Sequence, residues 1–295
     1  MSPKIAMNVT TTFHGNLRTD IAAAREAGFT GIELQSPKLY RYLDAGFPAE
    51  TVRELVGELT VTGLGAVQNI ERHGDDKPSF IADVERMCDV AVAVGAPTVQ
   101  LCTGPAEWTT VRDHRDGLLP ASDGRYRGTL GLSEADAMRV LTDNVRDAAT
   151  IAADRGIGVF VEPLAWTNIN RCAQLLRLID AVDRDNVGIA VDFWHFWTTG
   201  DTLEEVAALP AERITAVHIS DSTEINRATE IANVDDHRDV VIGGGSVPLQ
   251  EWVDAVKSTG YKGWWVTEMF AKRANEHDFL DVARTMRGLT SILVS

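Results

Sequence analysis

Four ionisable side chains stand near the carboxyl ends of four successive apolar runs in the second half of the sequence: Glu162, Asp192, His218 and Glu268. Burying one unpaired carboxylate costs several kcal/mol or shifts its pKa strongly, so four such groups on neighbouring strands need a shared compensating charge. Three carboxylates and one imidazole without a thiolate favour Mn2+, Mg2+ or Co2+ over a structural zinc. We therefore predict that these residues bind one divalent cation, with Mn2+ as the preferred metal. A strand-end carboxylate paired with a neighbour explains any one of these residues, but explains all four together poorly.

Other polar and aromatic side chains follow the same or earlier apolar runs. Gln68 and Gln100 are neutral groups suited to sugar hydroxyls, although either could simply satisfy backbone groups. Glu33 is either a substrate contact or a packed, hydrogen-bonded carboxylate. Tryptophans follow the fourth, fifth and sixth runs, and their faces could pack the apolar side of a sugar or an aryl group. These are Trp108, Trp166, Trp194 and Trp197, and core packing is an equal alternative for Trp194.

The elements that must position these residues form a regular alternation. Eight short apolar runs, with Val, Ile or Trp and little alternation of polarity, are separated by segments whose apolar residues recur three and four apart. Strict alternation implies parallel strands joined by right-handed crossovers, and eight units favour a closed (β/α)8 TIM barrel in a single domain over residues 1–295. A doubly wound sheet is the alternative, but no G-x-G-x-x-G follows the first run. The runs are 5–9, 31–34, 64–70, 98–102, 157–164, 187–193, 215–219 and 264–270.

Two connections are longer than the others. They span residues 104–132 and 222–247, and they follow the fourth and seventh runs. Both should therefore lie on the face where barrels of this kind carry their active sites. A long loop there more often covers a substrate than forms a second domain.

Composition excludes several classes of protein. The chain of 295 residues has 28 Lys and Arg against 43 Asp and Glu, a net charge of −15, which repels nucleic acid in the absence of a basic patch. No apolar stretch approaches the roughly 18 to 20 residues that cross a membrane. Cys88, Cys102 and Cys172 form no CxxC pair, which argues against a disulfide scaffold and a zinc ribbon. The first residues, from Met1 and Ser2, show no secretory apolar region, so we expect a cytoplasmic protein.

Several motifs together resemble the xylose isomerase-like superfamily of TIM barrels and, within it, the sugar phosphate isomerase/epimerase family. The resemblance implies that Glu162, Asp192, His218 and Glu268 bind the metal, that Glu162 and Glu268 also form the acid/base pair, and that His195 contacts a substrate oxygen. The motifs are Val161-Glu162-Pro163, Asp192-Phe193-Trp194-His195, Val217-His218-Ile219-Ser220-Asp221 and Thr267-Glu268, with flanking similarity over 27–34 and 260–265.

The loop after the seventh run resembles the family's Arg-then-glycine segment. By this resemblance Arg238 binds a substrate oxyanion and His237 is a further acid/base, or else a solvated loop histidine. Asp221 either orients His218, lies behind the metal ligands as a supporting residue, or lies in a solvated turn. Unlike the ketose 3-epimerases, residues 163–168 offer no further carboxylate, and the exit of the sixth run is rich in Trp, which indicates a more aromatic pocket.

The resemblance favours a metal-dependent isomerase or epimerase that abstracts a proton next to a carbonyl of a ketose or keto-polyol. The alternative is a lyase on keto sugars, either similar to inosose dehydratases or the catalytic subunit of a C-glycoside deglycosidase acting on 3-keto glycosides. An apurinic endonuclease is disfavoured by the charge, and a non-catalytic barrel by the complete quartet. Expected partners are a small sugar or keto-glycoside, and either a second copy of the chain or a small β-sandwich subunit.

Overall fold

Eight parallel strands form a closed barrel in the computed structural model, which describes residues 3–295. They pair in chain order, and β8 closes on β1. Met1 and Ser2 begin the segment from which we expect a cytoplasmic protein, and these two residues lie outside the described part of the chain. The strands are β1 (Lys4–Asn8), β2 (Gly31–Gln35), β3 (Thr60–Val67), β4 (Thr98–Cys102), β5 (Gly158–Glu162), β6 (Val187–Asp192), β7 (Ile214–Ile219) and β8 (Trp264–Thr267).

Helices surround the barrel, and several short ones lie in the loops. The described chain has twelve α-helices, more than the eight helical segments that the periodicity predicts, because four of the connections between strands each contain two helices. They are α1 (Leu17–Glu26), α2 (Ser36–Asp44), α3 (Glu50–Val56), α4 (Lys77–Val94), α5 (Trp108–Arg115), α6 (Glu134–Ala153), α7 (Cys172–Val182), α8 (Phe193–Thr199), α9 (Leu203–Ala207), α10 (Val234–His237), α11 (Leu249–Ser258) and α12 (Phe279–Val294).

The strands of the barrel carry buried apolar side chains on both of their faces. Val159, Val161, Ile189 and Val191 belong to the large apolar cluster between strands and helices. Phe160, Ala190 and Ala216 form a separate small cluster. Because successive side chains of a strand point to opposite faces, the small cluster fills the barrel interior. The predicted TIM barrel is confirmed, and none of the described helices is long and apolar enough to span a membrane.

The two long connections lie beside each other. The first carries α5 and the second carries α10, and the indole Nε1 of Trp108 in α5 donates a hydrogen bond of 3.0 Å to Asp235 in α10. Ala106 from the first connection and Val234 from the second line the same cavity. Both connections therefore contribute to one cover over the carboxyl ends of the strands.

Candidate metal centre

The four predicted ligands share the interior face of the barrel at its carboxyl end. Glu162, Asp192 and His218 each come two residues after a member of the small interior cluster, and Glu268 follows β8 directly. A strand side chain two positions on points to the same face. The alternation of β5 to β8 therefore turns all four side chains inward at one level.

Their potential ligand atoms converge on a small volume. One atom from each of Glu162, Asp192, His218 and Glu268 lies within 4.8 Å of the other three, and all four residues are buried. Nδ1 of His218 is 3.0 Å from Glu162 and 3.9 Å from a carboxylate oxygen of both Asp192 and Glu268. Oxygen and nitrogen atoms at about 2.0–2.6 Å from one cation have this spacing. The structure thus brings the quartet together, and its role as a ligand set stays a prediction.

The electrostatics of this cluster favour positive charge. Burial alone would raise the pKa of Asp192, but the guanidinium of Arg238, 2.9 Å away, holds it below its ordinary value. Burial raises the pKa of Glu268 to about 8, even though Arg238 Nη2 is 2.6 Å from its carboxylate. Burial lowers the pKa of His218, yet the carboxylates of Glu33 and Glu162 raise it well above its usual range. One guanidinium is therefore too little positive charge for the carboxylates gathered here.

Glu33, at the opposite side of the barrel interior, orients the histidine. Its Oε1 is 3.1 Å from Nε2 of His218 and accepts a hydrogen bond of 2.7 Å from Asn8. Nδ1 of His218 is then the nitrogen turned to the quartet. A carboxylate that fixes the second nitrogen of a metal-binding histidine is a common supporting contact. Of the two alternatives for Glu33, the structure shows the packed, hydrogen-bonded carboxylate.

Asp221 does not orient His218. Its carboxylate accepts hydrogen bonds from the backbone N–H groups of Gly243, Gly245 and Val247, at 2.9 to 3.1 Å. The predicted contact with His218 and the predicted solvated turn are both wrong, because Asp221 is a buried residue that satisfies the glycine turn after β7. A Cβ at Gly245 would collide with this carboxylate, so the glycine permits the contact.

His195 is held as a neutral hydrogen-bond donor. Its Nδ1 accepts a hydrogen bond of 3.0 Å from the backbone N–H of Ala165, which leaves the proton on Nε2. Burial lowers the pKa of His195 to about 4, and its own backbone N–H donates to Asp192 at 2.8 Å. The side chain lines the cavity above the quartet. It can donate to a substrate oxygen there.

A cavity of about 840 Å³ opens above the quartet. Several of the predicted site residues line it, namely Glu162, Glu268, His195, Arg238, Gln68, Gln100 and Trp166. Asp192 and His218 lie deeper, beneath Arg238 and among the carboxylates. Arg238 is 4% exposed and already bridges two carboxylates, so only its remaining N–H groups are free for a substrate.

Three other predicted substrate-binding residues do not line this cavity. Trp194 is completely buried, and its Nε1 donates to the carbonyl of His237 at 3.1 Å while its ring packs against His195. The His237 side chain turns away, and its Nδ1 accepts from the N–H of Asn233 at 3.3 Å. Trp108 is engaged with Asp235. Trp194 therefore supports the site from behind, and Trp108 and His237 belong to the covering loops.

The aromatic surface of the cavity comes from Trp166, which is one of the tryptophans expected at the strand ends, and from Phe13 and Phe270, which were not predicted. Thr10 and Gln35 line the cavity as well. Phe13 and Phe270 lie shortly after the first and last strands. The quartet was predicted from its position near the carboxyl ends of strands, and the same reasoning could have identified these two residues. Gln35 is the last residue of β2 and was not predicted, because it lies one residue beyond the apolar run 31–34.

Comparison with known proteins identifies the family. The family model described as xylose isomerase-like TIM barrel matches residues 21–289, so the chain belongs to this family. The solved structure of the IOLI protein with a bound zinc atom superposes with a TM-score of 0.84 at 20% identity, covering 99% of this chain and 98% of that one. At this identity the likeness supports the fold alone.

Two curated relatives are enzymes. A 3-dehydroshikimate dehydratase of Pseudomonas aeruginosa is 25% identical over 268 residues, covering 88% of this chain, but the chain spans only 37% of that protein's length. An inosose isomerase of Bacillus velezensis is 22% identical over 300 residues, covering 99% of this chain and 97% of the relative. The chain is thus similar both to an isomerase and to a dehydratase.

Proposed function

We propose that this chain is a divalent-metal-dependent enzyme that moves a proton at the carbon next to the carbonyl of a keto sugar or keto-polyol, as an isomerase or epimerase. The observation that carries the proposal is the convergence of Glu162, Asp192, His218 and Glu268 at the floor of a large cavity. The inosose isomerase of Bacillus velezensis, similar over its whole length, supports the reaction class.

The donor set fits a hard divalent cation. Three carboxylates and one imidazole, with only one guanidinium among them, leave negative charge that a cation would balance. We propose Mn2+, with Mg2+ or Co2+ as alternatives; the IOLI structure holds zinc. When bound, such a cation polarises a carbonyl and acidifies the adjacent C–H.

The two glutamates are the candidate proton carriers. Glu162 ends β5 and Glu268 follows β8, so their carboxylates enter the cavity floor from different strands. A substrate held between them meets one carboxylate that removes a proton and another that returns one. Transfer to the same carbon inverts it, and transfer to the neighbouring carbon isomerises the sugar.

Neutral and cationic donors hold the substrate oxygens. The Nε2–H of His195 is the donor that the Ala165 contact leaves free. Arg238 Nε is buried, and no group in residues 3–295 accepts its proton. Both can bind oxygens on which negative charge develops as the C–H bond breaks, a contribution that is typically large.

Exchange of solvent deuterium into candidate substrates tests the proposal. Purified chain with Mn2+ is incubated in D2O with ketoses and keto-inositols, and proton loss at the carbon next to the carbonyl is followed by NMR. We expect metal-dependent exchange in the wild type and at least about a hundredfold loss in Glu268→Gln. The exposed Glu251→Gln serves as a matched control with unchanged exchange. Wild-type exchange that survives metal removal, or Glu268→Gln exchange at the wild-type rate, would refute the proposal.

Elimination is the second candidate reaction. The dehydratase relative covers 88% of this chain, and its named reaction removes water from a keto compound. The same first proton transfer followed by loss of a β-substituent would give an enone. Ultraviolet absorbance of an enone in the exchange samples would favour the lyase, and exchange with retention of all substituents would favour the isomerase.

A further inference from the structure

We infer that Arg238 competes with the divalent cation for two carboxylate oxygens, and that its guanidinium turns toward the substrate when the metal is bound. This inference rests on the proposed metal centre. It goes further by making the metal and the arginine of the cavity wall depend on each other. Three observations carry it: which oxygen of each carboxylate is free, which oxygens Arg238 binds, and what surrounds the rest of its guanidinium.

Neutral donors hold one oxygen of Asp192 and one oxygen of Glu268. Oδ1 of Asp192 accepts a hydrogen bond of 2.8 Å from the backbone N–H of His195. The hydroxyl of Ser220 is 3.2 Å from Oδ1 and 3.3 Å from Oδ2, and its single proton serves one of them at a time. Oε1 of Glu268 accepts a hydrogen bond of 3.3 Å from the amide of Asn8. Oδ2 of Asp192 and Oε2 of Glu268 are therefore the oxygens with the most free capacity.

Glu162 is divided in the same way by two side chains of β4. Its Oε2 accepts hydrogen bonds from the amide of Gln100 and, at 3.6 Å, from the thiol of Cys102. Its Oε1 is 3.0 Å from Nδ1 of His218. Each of the three carboxylates thus has one oxygen that is tied to neutral donors and a second oxygen that faces the imidazole. A cation held by the quartet would bind these second oxygens.

Arg238 binds two of these second oxygens. Its Nη2 donates to Oδ2 of Asp192 at 2.9 Å and to Oε2 of Glu268 at 2.6 Å. The same two oxygens are each 3.9 Å from Nδ1 of His218. A cation about 2.1 Å from Oδ2 would be within about 5 Å of Nη2. At this separation, repulsion between a divalent cation and a guanidinium weakens the binding of either by far more than tenfold, at an effective dielectric constant of about 20.

The rest of the guanidinium is held by contacts that permit it to turn. Its Cζ lies over the rings of Trp194 and Phe270, 4.9 and 4.5 Å from their centroids. Attraction between a cation and an aromatic face does not fix the direction of the N–H groups. Arg238 also lines the cavity, and its Nε has no acceptor among residues 3–295. The guanidinium can therefore turn Nη2 from the carboxylates to a substrate oxygen and keep its aromatic contacts. By linkage, an oxygen that binds Nη2 then strengthens metal binding, and the reverse.

Mn2+ affinity in variants of Arg238 tests the inference. The full chain is stripped of divalent ions and titrated with Mn2+ by isothermal titration calorimetry. We expect Arg238→Met, which removes the charge, to bind Mn2+ at least about tenfold more tightly than the wild type, and Arg238→Lys, which keeps the charge, to stay within about threefold. Exposed Arg184→Met, in the loop between α7 and β6 at the opposite end of the barrel, is the control for loss of one positive charge, with unchanged affinity expected.

The outcomes separate this inference from the proposed function. Mn2+ binding to the wild type with equal or weaker affinity in Arg238→Met overturns the inference alone, because Arg238 would then support the ligands. Equal tightening in Arg238→Met and Arg238→Lys also overturns it, since charge would not be the cause. Absence of Mn2+ binding in both the wild type and Arg238→Met overturns the proposed metal centre and the inference with it.

A crystal structure of the Mn2+-loaded wild type tests the movement without any substitution. It decides the question if circular dichroism shows that Arg238→Met does not fold. We expect Nη2 of Arg238 to lie beyond about 3.5 Å from Oδ2 of Asp192, from Oε2 of Glu268 or from both, with the guanidinium still over the rings of Trp194 and Phe270. Nη2 within hydrogen-bond distance of both oxygens beside bound Mn2+ would overturn the inference.

Discussion

Glu71 is expected to make the stability of the protein fall as the pH rises from about 4.5 to about 7. It is 1% exposed, and neither carboxyl oxygen has a hydrogen-bond partner among residues 3–295. A Cβ at Gly104 or Gly128 would collide with this carboxyl, so the first long connection packs directly on it. The hydroxyl of Tyr126, in the same connection, is also buried without a described partner.

The magnitude follows from the pKa. Burial raises the pKa of Glu71 from 4.5 to about 7, and nearby backbone N–H groups of Glu71 and Gly104 offset only part of this effect. Between about pH 4.5 and about pH 7, Glu71 therefore stays protonated in the folded state but is ionised in the unfolded state. The free energy of unfolding is highest below about pH 4.5 and declines until about pH 7. A shift of this size corresponds to about 3 kcal/mol in the free energy of unfolding.

Glu71→Gln removes this titration. Urea unfolding of metal-free protein between pH 4.5 and pH 8 gives the free energy for wild type and variant, and their difference cancels titrations at distant sites. We expect the variant to gain about 3 kcal/mol relative to wild type across this interval. Exposed Glu58→Gln is the matched control, for which we expect a flat difference. A flat difference for Glu71→Gln as well would show that Glu71 is ionised in the folded state, and the reasoning would fail.

Three further predictions concern the site. Glu33→Gln should lower Mn2+ affinity about 10- to 100-fold by weakening the hold on His218, measured by calorimetry; unchanged affinity would contradict the orienting role. His195→Phe should lower kcat/KM of the exchange reaction about 100-fold with one metal still bound per chain; loss of the metal would instead mark His195 as structural. Trp108→Phe should raise KM about threefold by releasing the contact between the covering loops, whereas Asp235→Asn, which keeps an acceptor, should not; equal effects would exclude that contact as the cause.

The barrel could be predicted because its alternation is a strong local signal. Eight short runs that are buried on both faces, separated by segments with helical periodicity, predict eight parallel strands that close into a barrel. Strand bounds were less accurate. The third strand begins at Thr60 and not at 64, because Gly63 carries no apolar signal, and the fifth ends at Glu162 because Pro163 cannot donate to the next ladder bond.

The quartet could be predicted from the same alternation, because one polar residue at the end of each strand must face the mouth of the barrel. Glu33 could not be assigned its contact with His218, since that contact crosses the barrel interior and depends on closure. His237 is adjacent to Arg238 in sequence, yet it ends a turn of helix and points elsewhere. Trp108 was expected in the cavity for a similar reason: it begins the short helix α5, and a helix of this length inside a long connection has no sequence pattern that predicts which face meets the cavity.

Stoichiometric metal binding tests the central claim most directly. The chain, stripped of divalent ions and titrated with Mn2+, is followed by electron paramagnetic resonance for the wild type and for Glu162→Gln, Asp192→Asn, His218→Gln and Glu268→Gln. We predict one tight Mn2+ per wild-type chain, at least about tenfold weaker binding in each variant, and proton exchange that returns in proportion to bound metal. Absence of a tight site in the wild type, or affinity unchanged in all four variants, would contradict the account.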